Sequence, residues 1–156
     1  MNLLRVDGAV REPREFGFDD LSALPGQVSD VAALIAGREG GAVRLQALLD
    51  AVGVQSAATH VTLTSTDGKF SASVPLAAVH DAVVAYRLGD APLPREKGGP
   101  LRFFIPNVEQ CAIGGVDACA NVKFLGRIHL MTAPGADTRP TSVHAHQELH
   151  NREDDR

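Results

Sequence analysis

The run from Leu93 to Pro106, Leu-Pro-Arg-Glu-Lys-Gly-Gly-Pro-Leu-Arg-Phe-Phe-Ile-Pro, does most to limit what this chain can fold into. A turn dense in glycine and proline feeds a short apolar strand, Leu101 to Ile105, with Arg102 set among hydrophobic neighbours. Gly98 and Gly99 can take positive φ and leave room for another group to approach the backbone. Pro100 biases Gly99 toward an extended or turn conformation before the strand begins. Arg95, Lys97 and Arg102 fall within eight residues, so the loop can face an anion. The ordinary alternative is a solvated turn feeding a core strand.

A chain of 156 residues is expected to form one domain. It can bury about 70% of its unfolded surface, so it needs neither a disulfide nor a metal to hold a core. Aromatics make up 4%, with no Trp and one Tyr, so that core must rest on Val, Leu, Ala and Ile. The net charge of -4 argues against broad nucleic-acid binding, which needs a basic surface to displace counterions from phosphates. No apolar run approaches the roughly 20 residues of a bilayer span. Met-Asn-Leu-Leu-Arg-Val-Asp-Gly lacks the charged region, apolar stretch and cleavage site of a secretory signal, so a cytoplasmic location without membrane contact is expected. Two reduced thiols are then expected rather than a structural bridge.

Taken in order, Leu3, Leu4 and Val6 predict a first strand ended by the turn pair Asp7-Gly8. Phe16 and Phe18 alternate with polar or small neighbours and predict a second, half-buried strand. Asp19-Asp20-Leu21 can cap a short helical turn before Pro25. Val28 to Ala36 is a compact apolar run whose periodicity fits a strand or a short helix, and Gly37 to Gly41 follows as a loop. Val43, Leu45, Leu48, Leu49 and Val52 fit an amphipathic helix, with Gly53 as its C′ residue. His60 to Ser65 and Phe70 to Val74 predict a hairpin across Asp67-Gly68. Pro75 to Val84 predicts a short helix, Val84 to Leu88 a strand, and Val122 to Met131 a last strand. From Thr132 the composition turns polar, so residues 132–156 are expected to form a flexible tail after a domain spanning 1–131. Many short strands with a few helices, and no regular βαβ alternation, predict an α+β domain.

Six phrases of this sequence are similar, in order, to those of one family. They are Leu4-Arg5-Val6-Asp7-Gly8-Ala9-Val10, Phe18-Asp19-Asp20-Leu21 with Leu24-Pro25, and Val43-Arg44-Leu45 with Leu48-Leu49 and Gly53. Asp67-Gly68 with Phe70 and Ser73-Val74-Pro75-Leu76 forms the fourth. Leu88-Gly89 with Pro92-Leu93-Pro94 and Gly99-Pro100-Leu101-Arg102 forms the fifth, and Val122-Lys123-Phe124-Leu125-Gly126-Arg127-Ile128 the sixth. Together they resemble the molybdopterin-binding domain of the sulfite oxidase family over residues 3–131. The resemblance implies that family's α+β fold, with many short strands in mixed sheets and a few short helices. It also implies an oxidoreductase-related domain with molybdopterin as its cofactor.

In that family a cysteine thiolate on a Cys-x-Gly-Asn-x-Arg-like loop ligates molybdenum. The matching stretch here is Ile35-Ala36-Gly37-Arg38, which puts Ile35 at the thiolate position. Isoleucine has no lone pair, so the chain is expected to offer the metal no side-chain ligand there and to have lost molybdenum activity. The family's lysine for the pterin phosphate aligns with Ala120, and Phe124 stands for its Trp, while Lys123 remains. Arg38, Arg102 and Lys123 are the cations nearest the implied cofactor region. The alternative is a non-catalytic binding module that uses the former cofactor cleft for a small anionic ligand or a protein partner.

Cys111 and Cys119 are separated by seven residues, which is no zinc pattern. Buried thiols, a bridge across a loop and a metal-ligating or catalytic role all remain compatible with this spacing. His146 and His150 would share a face of a helix and could chelate a metal with His144 or Glu148, although a solvated tail is the ordinary reading. His60, His80 and His129 read as surface or satisfied core residues; Asp67 and Asp117 are acid–base candidates by type, but each sits beside a glycine or small residue and reads as a turn residue. There is no Ser-His-Asp arrangement and no phosphate-binding glycine signature.

Overall fold

Alternation of apolar and polar residues along short strands builds two five-stranded sheets, and the computed structural model describes residues 2–35, 37–106 and 122–135. The strands are β1 (Asn2–Gly8), β2 (Arg14–Gly17), β3 (Gln27–Val28), β4 (Gly41–Arg44), β5 (His60–Ser65) and β6 (Ser71–Pro75). They continue with β7 (Val83–Leu88), β8 (Ala91–Pro92), β9 (Arg102–Phe104) and β10 (Leu125–Met131), and the α-helices among the described residues are α1 (Phe18–Ala23) and α2 (Leu45–Val52). The first sheet has the order β2-β1-β10-β5-β6, with β1 and β10 parallel. The second has the order β3-β4-β7-β8, with β9 also on β7. Mixed sheets with few helices make this an α+β fold.

Period-two alternation decides which side chains meet. Leu4 and Val6 of β1, Val61 and Leu63 of β5, and Ile128 and Leu130 of β10 turn to one side of the first sheet. Val43, Val84, Tyr86 and Phe103 of the second sheet join them in the main core, with Leu45 and Leu48 of α2. The opposite face of the second sheet carries Ala42, Val83, Ala85 and Phe104. Val28 of β3, paired with Ala42, lies on the same face, and Val31 and Leu93 cover it, forming a smaller outer cluster. Tyr86, the chain's one tyrosine, is buried, meets Phe18 edge-on at 5.5 Å and donates its hydroxyl to Gln27 Oε1 at 2.6 Å.

Five segments differ from the sequence expectation. Phe18 starts α1 instead of extending β2, because the Asp20 carboxylate accepts the Gly17 N–H at 2.8 Å and fixes a helix start there. Val43 belongs to β4, paired with Val84, so the helix begins only at Leu45. A β-branched residue at the end of a strand fits the apolar spacing of a following helix, which is why the two run together in sequence. The run 28–36 divides into β3 and a single helical turn, Val31–Ala33, whose first turn is capped by Asp30 accepting the Ala32 N–H at 3.0 Å. The last strand begins at Leu125, since Phe124 has φ +55° and breaks the extended run. The helical part of 75–84 is confined to Leu76–Val79.

The β5–β6 hairpin and the end of α2 lie where expected. The hairpin of β5 and β6 pairs Leu63 with Ala72, and Gly53 ends α2 in the left-handed region. No described helix is long and apolar enough to cross a membrane. Cys111, Asp117, Cys119, Ala120 and the histidines at 144, 146 and 150 lie outside the described residues.

Candidate functional site

The strand β9 carries Arg102, Phe103 and Phe104 in succession, and the pleat sends Phe103 into the main core while Phe104 joins the outer cluster. Arg102 shares the outer face with Phe104, is 7% exposed, and sets its guanidinium carbon 4.8 Å from the Phe104 ring centroid. Arg38 approaches the same ring at 5.9 Å. Both fall within the reach of about 6 Å over which an aromatic quadrupole attracts a cation. One buried phenylalanine thereby holds two guanidinium groups from segments far apart in sequence.

Backbone contacts bring the third cation in. Phe124 donates its N–H to Gly98 O at 2.8 Å, Phe103 to Val122 O at 2.9 Å, and Leu125 to Leu101 O at 2.8 Å. The turn 122–124 is thus stitched along the segment entering β9, and Lys123 comes to lie beside Arg102. Gly98 makes this approach possible. Its φ is +91°, and a Cβ there would stand 2.7 Å from Arg102 Cδ and 3.2 Å from Lys123 Cγ.

The resulting cleft encloses about 230 Å³, and its walls include Arg38, Glu39, Lys97, Arg102, Phe104 and Lys123. Lys97 comes from the helical turn Arg95–Lys97 and Glu39 from the loop before β4, and Lys97 Nζ lies 2.5 Å from Glu39 Oε1. The three cations singled out in the sequence, Arg38, Arg102 and Lys123, therefore line a single cleft. Lys97 belongs to it too, as the charge clustering of the 93–106 loop suggests, whereas Glu39 and Phe104 had no distinguishing signal.

Ile35 lies three residues before Arg38, whose N–H its carbonyl accepts at 3.2 Å. Its side chain is partly buried and packs on the outer apolar cluster. The donor set accordingly suits one half of the implied cofactor and not the other: guanidinium and ammonium groups match a phosphate, while a hydrocarbon side chain gives a soft metal nothing to bind. Among the described residues no group of three or more His, Cys, Asp or Glu side chains could hold a metal.

A second polar cluster escaped the sequence reading. Asp7 lies within β1 rather than in a turn, is 6% exposed, and accepts from Arg127 Nε and Nη2, both at 3.0 Å, and from Arg5 Nε at 2.8 Å. His129 Nδ1 is 2.7 Å from Asp7 Oδ1 and 3.0 Å from Arg127 Nη2. That nitrogen can donate to the carboxylate or accept from the guanidinium, not both, and the shorter contact favours donation. Burial alone would push the Asp7 carboxyl up, but the hydrogen bonds from Arg127, His129 and Arg5, with the Arg127 charge, outweigh it and hold the group well below the usual range. The signal in the sequence is the i, i+2 spacing of Arg5-x-Asp7 and Arg127-x-His129 on two strands. A shallow groove of about 500 Å³ beside α2, touched by Arg11, Gln46, Asp50 and His80, brings no comparable set of like charges together.

The family model described as the oxidoreductase molybdopterin binding domain matches residues 35–138, a span that includes Ile35, Arg38, Arg102 and Lys123. No curated protein matches the chain. Among solved structures, the sulfane dehydrogenase SoxCD from Paracoccus pantotrophus is similar in fold, with a TM-score of 0.64 at 19% identity. The likeness covers 86% of this chain and 39% of that one, so this chain spans well under half the length of the chain it resembles.

Proposed function

Because the chain belongs to the oxidoreductase molybdopterin binding domain family, we propose that its cleft holds a molybdopterin-type ligand by the phosphate while Ile35 offers the metal no side-chain ligand. The observation that carries this reading is the convergence of Arg38, Arg102 and Lys123 on one cleft around Phe104. A buried guanidinium backed by an aromatic ring is preorganised for a phosphate, because its planar fork presents parallel N–H donors and loses little freedom on binding. Lys123, beside Arg102, adds a point charge on a flexible stem. When bound, such a cofactor supplies redox chemistry at its metal; the chain's own part is to hold the anionic end and keep it oriented. Ile35 contributes only apolar surface to the outer cluster.

A second reading is favoured by size. The cleft's volume of about 230 Å³ falls below the roughly 300–1,000 Å³ of pockets that enclose whole cofactors. A non-catalytic module that takes a small anion alone fits these dimensions.

Purification after expression with molybdate, followed by elemental analysis and by fluorescence of any released pterin, separates the readings. Pterin without molybdenum is the expected result. Molybdenum near one per chain would overturn the ligand-loss reading, and retention of phosphate with no pterin would favour the small-anion module.

A further inference from the structure

We propose that Glu39 is a built-in competitor for one of the cleft's cations: it holds Lys97 until a dianion such as a phosphate monoester arrives, and the dianion then takes Lys97 over. This rests on the reading of the cleft as an anion site and names how that site selects its ligand. Lys97 Nζ lies 2.5 Å from Glu39 Oε1, and both side chains face the cleft. They are 39% and 54% exposed, so solvent screens the pair and it is weak. An ion pair of that kind exchanges partners at little cost.

The two backbones are anchored while the side chains are not. Gly40, next to Glu39, accepts the Val31 N–H at 2.8 Å, and a Cβ on Gly40 would stand 2.7 Å from Arg87 O on β7. On the other wall, Gly98 donates to Arg95 O and Gly99 to Pro94 O, each at 2.9 Å. Exchange therefore needs only rotation of two long, flexible side chains.

Charge then sets the selectivity. Arg38, Lys97, Arg102 and Lys123 face the cleft with Glu39 and Glu96, leaving two positive charges in excess. A dianion neutralises that excess, and it offers Lys97 more charge than Glu39 does. A singly charged anion offers no more than Glu39 already provides and leaves the pair intact. Glu39 thus discriminates by charge, not by shape.

Calorimetric titration with methyl phosphate near pH 7.5, where a phosphate monoester with a second pKa of about 6 is mostly dianionic, tests this in a double-mutant cycle. Glu39→Gln is expected to tighten binding by about two- to fivefold, the range that an exposed ion pair is worth. Lys97→Met is expected to weaken binding, and the gain from Glu39→Gln should vanish in the Lys97→Met background. A gain that persists without Lys97 would mean that Glu39 acts only through the general field, and would overturn the exchange. So would the absence of any gain. Failure of the wild type to bind methyl phosphate, with no change on Arg102→Met, would instead defeat the anion-site reading itself. Matching urea midpoints among the variants would show that each is folded.

Discussion

Asp7 on the first strand and Arg127 on the last form a two-point ion pair across the parallel β1–β10 seam, with Nε–Oδ1 and Nη2–Oδ2 both at 3.0 Å. A parallel pair cannot be closed by a hairpin, so β10 must return across the whole domain to find β1. On the inner side of this seam Val6 registers with Ile128, and both are fully buried. On the outer side the carboxylate, two arginines and a histidine take the place of apolar packing.

Asp7→Ala is expected to destabilise the protein by about 2 kcal/mol at pH 7. Hydrogen bonds to a charged group are worth about 1.5–3 kcal/mol, and Arg5 and Arg127, about half exposed, can return to water and limit the loss. The folded-state pKa of Asp7 is depressed, so its stabilisation is complete above the ordinary aspartate value of about 4 and is lost as the pH falls below it. Urea unfolding should therefore show the gap between wild type and variant narrowing below about pH 4. A gap that stays constant down to pH 2.5 would sink this account.

Two glycines should respond very differently to alanine. A Cβ on Gly99 would lie 1.8 Å from Leu93 O, a backbone atom that cannot swing aside. Gly99→Ala should cost about 3 kcal/mol, at the upper end of overpacking effects, and should lower methyl phosphate affinity because the loop bearing Lys97 must shift. Gly68 has φ +74° but nothing within 4 Å of its added Cβ, so Gly68→Ala should cost only the left-handed strain of about 1 kcal/mol. Equal unfolding midpoints for the two variants would contradict this.

The strands and the cleft were legible in the sequence to different depths. The β5–β6 hairpin announced itself through β-branched alternation around Asp67-Gly68, and the C-terminus of α2 through Gly53. The start of that helix did not, because Val43 satisfies a strand and a helix equally and only pairing with Val84 decides between them. Arg38, Arg102 and Lys123 were reachable as cations in matching family phrases. Phe104, which backs two of them, looked like any core phenylalanine, since nothing local reveals which face of a three-residue strand turns outward. The Asp7 network was hidden for a related reason. Its two halves lie at opposite ends of the described chain, and Asp7-Gly8 reads locally as a turn.

Ile35→Cys restores a soft donor at the position where the family resemblance places a thiolate. Removing part of the isoleucine side chain from the partly buried outer cluster should cost about 1 kcal/mol. Thiol labelling of the native variant should report a reactive group at position 35, and elemental analysis after expression with molybdate should show more molybdenum than in the wild type. No difference in metal content, with the thiol labelled and pterin retained, would mean that the missing donor is not what keeps the metal out.

Arg102 separates charge from geometry in the cleft. It is 7% exposed and stacks 4.8 Å from the Phe104 centroid. Arg102→Met keeps much of the side-chain length and removes the charge. Methyl phosphate affinity, measured on variant protein whose circular dichroism shows it folded, should fall by about tenfold or more, as expected when a charge-assisted, two-donor contact is lost. Arg102→Lys keeps the charge but not the planar fork, and should fall between the two. If the lysine variant binds as tightly as wild type, charge alone holds the ligand and the stacking on Phe104 is incidental. If the methionine variant does so, the anion lies elsewhere.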